Sequence, residues 1–141
     1  MYQKSNPMRK GASPYSAVIT REQFLFYEMR TTARLLTEGM TGAQAVDQIT
    51  AENLFQYPTE KSLRGMARVC VRRLDALADP ELVQAIATQS SDVSKQICLY
   101  AMMKQYRLVW DFMITVVGAK FASCDLTFGR VVFNVFMLRL Q

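Results

Sequence analysis

Residues 59–74 read T-E-K-S-L-R-G-M-A-R-V-C-V-R-R-L, and Lys61, Arg64, Arg68, Arg72 and Arg73 fall within thirteen positions of one another. Guanidinium and ammonium groups at such density suit one chemistry above others, the neutralisation of phosphate oxygens. Advancing about 100° per residue along a helix, Arg64, Arg68 and Arg72 lie within about 60° of Lys61. Leu63, Met66, Ala67, Cys70, Leu74 and Leu77 fill the opposite arc. The cations then stand about 5 to 6 Å apart along one helix face, a spacing able to follow a phosphate backbone. Arg73 falls off this row and is a fifth, weaker candidate DNA contact, and Asp75 falls on the row. Two other readings of the face stay open: a solvated surface, and a docking surface for an acidic protein.

The rest of the chain offers little chemistry of a catalytic kind. It contains no histidine, which removes the commonest general base. Phosphate-cradling glycine loops and paired-carboxylate motifs are missing from the sequence, so the expectation is a protein that is not an enzyme. Cys70, Cys98 and Cys124 have no CxxC spacing and no metal-ligand company, which predicts neither zinc nor any other cofactor. A reducing, cytoplasmic setting fits three unpaired cysteines and an opening that lacks a signal-peptide core. Cys70, on the apolar arc, is expected to be packed and inert.

Charge points the same way as the basic row. The 141 residues carry 17 Lys and Arg against 12 Asp and Glu, net +5, with half of all residues hydrophobic. Residues 1–75 hold eleven of the bases and seven of the acids, and residues 76–141 hold six and five. Excess positive charge in the front half favours a polyanionic partner, duplex DNA among them. Residues 1–14, with Lys4, Arg9 and Lys10 among Pro7, Gly11 and Pro14, read as a flexible basic arm in which Lys10 is a further candidate DNA contact.

The elements that would position the basic row are helices. Thr20 and Gln23 form a capping-box pattern that predicts a first helix, with Leu25, Met29, Thr32 and Leu36 as its core stripe and Gly39 beyond its end. Thr41 with Gln44 repeats the pattern for a second, shorter helix containing Ala45 and Ile49. Thr59 caps a third that runs to about Leu77, with Glu60 at its positive end. Asp79-Pro80-Glu81 starts a fourth, and Ser90 or Ser91 a fifth. From Val93 to Ala122 nearly every face is apolar, which predicts one helix, or two bending near Arg107, at the centre of a bundle. Tyr100, Tyr106, Trp110 and Phe112 are read as core, and Asp111 as the partner of Arg107 one turn earlier. No alternation long enough for a sheet occurs, so residues 15–141 are expected to form a single all-α domain. Within it, residues 41–77 form a helix, a short turn through Tyr57 and Pro58, and a basic helix, the order of a helix-turn-helix.

Several runs, in this order, resemble the BrxA family of BREX bacteriophage-exclusion systems: Y-S-A-V-I-T-R-E-Q-F-L-F-Y-E-M-R, A-E-N-L-F-Q-Y-P-T-E-K-S-L-R-G-M-A-R-V-C-V-R-R-L-D-A-L, D-P-E-L-V-Q-A-I-A and K-Q-I-C-L-Y-A-M-M-K-Q-Y-R-L-V-W-D-F-M. The resemblance covers roughly residues 15–126. It implies a small helical protein, NusB-like at the level of fold, that binds double-stranded DNA through helix-turn-helix elements as an accessory to phage defence, with other BREX components as partners. Members have also been described as inner membrane proteins. Here Lys104, Arg107 and Asp111 interrupt the apolar segment, which predicts no membrane span.

After Leu126 and Thr127 the motifs stop, and F-G-R-V-V-F-N-V-F-M-L-R-L-Q contains no second basic helix. Relative to the family this reads as a truncated C-terminus. Asp125 and Thr127 are expected to cap a last helix, whose apolar residues on all sides predict self-association through the tail.

Overall fold

A computed structural model describes residues 23–122, and every regular element among them is helical. The order is α1 (Phe26–Thr37), α2 (Gly42–Glu52), α3 (Glu60–Leu77), α4 (Pro80–Thr88), α5 (Ser91–Gln105), α6 (Arg107–Phe112), a π-helical turn (Met113–Val117) and α7 (Gly118–Ala122).

Most boundaries follow from capping chemistry. Thr41 Oγ1 accepts from Gln44 N at 3.2 Å while Thr41 N donates to Gln44 Oε1 at 2.9 Å, so α2 begins with a reciprocal box. Thr59, Asp79 and Ser90 each accept a backbone N–H from the first turn of α3, α4 and α5, and Pro80 opens α4 where its missing N–H costs nothing. Gly39, at φ +101°, turns the chain sharply after α1. The start of α1 differs from the sequence expectation. The helix begins at Phe26, preceded by Leu25 in the left-handed region, and Gln23 lies outside it. Thr20, the expected cap, lies outside the described residues.

α3 is the shared wall of two cores. On one side Cys70, Leu74 and Leu77 meet Met29 and Ala33 of α1, Ile86 and Ala87 of α4, and Cys98 and Ala101 of α5. On the other, Leu63 and Ala67 meet Val46 and Ile49 of α2. Burying each of these leucines or isoleucines contributes on the order of 1.5 to 3 kcal/mol. α2 approaches α3 closely: a Cβ added to Gly42 would stand 2.7 Å from Val71 Cγ1.

The connection between α2 and α3, residues 53–59, is longer than the three or four residues of a typical helix-turn-helix turn. It is held from within. Asn53 Oδ1 accepts from Tyr57 N and its Nδ2 donates to Tyr57 O, both at 2.9 Å. Tyr57 Oη donates to Glu28 Oε1 of α1 at 3.1 Å, and burial together with that carboxylate pushes the phenol up to about 12. Leu54 and Phe55 pack against the α2–α3 core. Side chains of the loop thus brace the connection between the two helices.

Tyr106, in extended conformation, separates α5 from α6, so the bend near Arg107 is present. The expectation that residues 107–122 occupy the centre of the bundle is not met. Among the described residues none of α6, the π turn or α7 is buried, and Trp110, Ile114 and Phe121 are 38%, 57% and 74% exposed. Of the four aromatics assigned to the core, Tyr106 is buried and Tyr100 is 38% exposed. Arg107 and Asp111 pair at 3.7 Å as expected. No helix among the described residues is long and apolar enough to cross a membrane.

Candidate nucleic-acid interface

The outward arc of α3 carries Lys61, Arg68 and Arg72, all exposed, with Arg64 half-buried between them and Asp75 exposed at the C-terminal end. The row exists because the other arc is consumed by packing: Leu63, Ala67, Val69, Cys70, Leu74 and Leu77 are all buried. Thr59 and the acidic Glu60 stabilise the helix end from which the row begins.

Arg64, Arg68 and Arg72 also line a groove of about 590 Å³ between α3 and the first half of α2. Gly42, Ala43, Val46 and Val71 supply its apolar floor, and Asp47 and Asp75 add two carboxylates to the three guanidiniums. One of those carboxylates is engaged. Arg64 Nη1 donates to Asp47 Oδ1 at 3.2 Å, from α3 to α2, with the Arg64 side chain 35% and the Asp47 side chain 73% exposed. Sequence reasoning missed Asp47, for the two residues are 17 positions apart and no local spacing joins them.

Arg73 is a correction. Read from the sequence as a fifth DNA contact, it is fully buried. Its Nη1 donates to Phe24 O at 3.1 Å, its Nε donates to Tyr106 Oη at 3.3 Å, and its guanidinium stands 5.3 Å from the centre of the Tyr106 ring. The residue ties the approach to α1 to the break between α5 and α6. A signal was available: on the helical projection Arg73 falls between Val69 and Leu77, roughly 120° from Lys61 and inside the packed arc. Lys10, with Lys4 and Arg9, lies outside the described residues.

Other reactive groups are spoken for by packing. Cys70 and Cys98 are buried, and burial pushes their thiols up to about 12 and about 11 against the opposing pull of the Arg73 charge. Both are therefore protonated at neutral pH, as the inert reading of Cys70 requires. Among the described residues no group of three or more His, Cys, Asp or Glu could hold a metal ion.

Comparison with known proteins places these features in a family. The chain is 32% identical over 127 residues to a protein named BREX protein BrxA from Bacillus cereus (strain H3081.97), an alignment that covers 90% of this chain and 63% of that relative. This chain thus spans a little under two thirds of the relative's length. No solved structure matches it. A family model described as BrxA matches residues 13–141, running on through the last fourteen residues where the motif-by-motif likeness stops. With all but the first twelve residues inside that match, the chain belongs to the BrxA family.

Proposed function

We propose that this protein is a non-enzymatic, cytoplasmic component of a BREX phage-defence system that binds duplex DNA, with Lys61, Arg64, Arg68 and Arg72 contacting backbone phosphates. The observation that carries the reading is the division of α3 into a packed arc and an outward row of these four cations. Family membership and the net charge of +5 support it. α2, the braced 53–59 connection and α3 act as a helix-turn-helix with an extended turn, on a NusB-like bundle, and Lys10 adds a weaker contact from the N-terminal arm. Phosphates are contacted more than bases, since a row of cations along a helix carries charge but little hydrogen-bond pattern.

Duplex binding measured across a salt series tests this reading. Each neutralised phosphate contributes about −0.9 to the slope of log affinity against log salt, so three or four contacts give a slope of roughly −3. Absence of binding at low salt would overturn it in favour of a scaffold, in which the same face docks on an acidic surface of another BREX component. We also propose self-association through the tail, residues 128–141, which lie outside the described residues. Sedimentation of the intact chain and of one ending at Thr127 tests that, and an intact chain that is strictly monomeric at high concentration would refute it.

A further inference from the structure

The Arg64–Asp47 pair sits inside the surface that the DNA reading assigns to phosphate. A carboxylate and a phosphate ester offer a guanidinium the same thing: anionic oxygens that accept its N–H groups. Arg64 already has such an acceptor at 3.2 Å, and it comes from a different helix. Because α2 is pressed against α3 at Gly42 and Val71, and because the Asn53–Tyr57 brace fixes the connection, the two partners are held facing each other across the groove. The Asp47 side chain is largely exposed and lines the groove beside the three guanidiniums.

We propose that Asp47 is an internal competitor for the Arg64 guanidinium, so that duplex binding at this groove exchanges a carboxylate for a phosphate. The inference rests on the DNA reading and deepens it by assigning an opposing residue to the same surface. Two consequences follow from charge balance. Affinity is held below what the cations alone would give, because the incoming phosphate must displace the carboxylate from Arg64. The salt dependence is also flattened. When Arg64 turns to a phosphate, the counterion released from DNA is offset by a cation drawn to the uncovered Asp47, and this contact adds little to the slope.

Asp47→Asn keeps the shape and removes the charge. In the full chain it is expected to tighten binding to a mixed-sequence duplex by about two- to fivefold at low salt, the range set by an exposed ion pair. It is also expected to steepen the salt slope by about one, as Arg64 becomes a full phosphate contact. Two controls make the result specific. Asp92→Asn removes the same charge from α5, away from the groove, and should leave affinity nearly unchanged. In an Arg64→Ala background the Asp47→Asn gain should vanish, since competition needs its object. Unchanged or weakened binding by Asp47→Asn, an equal gain from Asp92→Asn, or a gain that persists without Arg64 would each overturn the inference. If the unsubstituted chain binds duplex and Asp47→Asn is flat, the inference fails while the DNA reading stands. If the unsubstituted chain binds no duplex at any salt, both fall.

Discussion

Arg72 and Arg73 are adjacent in sequence and opposite in fate. One stands exposed on the outward arc of α3, and the other is fully buried against Tyr106 and the Phe24 carbonyl. The same contrast holds for the two arcs as wholes: the inner one joins α1, α2, α4 and α5, while the outer one presents cations. A charged side chain is thus no guide to the surface. Position around the helix decides, and the cost of burying a guanidinium is offset locally by a carbonyl, a phenol oxygen and an aromatic face.

The contrast is broken most severely at Arg73. Arg73→Met removes the hydrogen bonds to the Phe24 carbonyl and the Tyr106 hydroxyl from a buried site, and should cost about 2 to 4 kcal/mol of stability. Thermal or urea unfolding would measure it. The folded fraction should bind duplex as before, and a stable variant with weakened binding would return Arg73 to the surface.

A smaller effect is expected where the two arcs meet α2. Gly42→Ala forces a methyl against Val71, 2.7 Å from its Cγ1, and should destabilise by about 1 to 3 kcal/mol. The double variant Gly42→Ala, Val71→Ala should recover part of the loss, because the space is returned on the other side. Failure to recover would mean that the contact does not set the approach of α2 to α3.

The smallest change in stability belongs to the outer arc. Arg68→Ala should change the unfolding free energy by no more than about 0.5 kcal/mol, as surface substitutions usually do. Under the proposed function it should still weaken duplex binding several-fold at low salt and reduce the salt slope by about one. A loss of stability comparable to that of Arg73→Met would erase the distinction between the arcs.

How much of this was legible in the sequence depends on whether the controlling interaction is local. The starts of α2, α3 and α4 were, because Thr41, Thr59 and Asp79 bond to backbone groups two or three residues ahead. The outward row of four was legible from helical periodicity alone. The start of α1 was not: a left-handed Leu25 precedes it, a conformation that propensity does not anticipate for leucine. The Asp47 contact was hidden because it depends on the angle between two helices. The segment 107–122 misled because periodicity reports how apolar a face is, and says nothing of which element is there to cover it.

The two buried thiols make the fold answer to proton concentration. A cysteine in the unfolded chain ionises near its ordinary value of 9, whereas Cys70 and Cys98 in the folded protein hold their protons to about 12 and about 11. Below pH 9 the two states are equally protonated at these sites and the thiols exert no pull. Above it the unfolded chain releases protons that the folded one keeps. The equilibrium then drifts toward unfolding by up to about 1.4 kcal/mol per pH unit for each thiol, until the folded value is passed. Packing that makes these sulfurs chemically quiet at neutral pH is, in alkali, what turns them into a load on the fold.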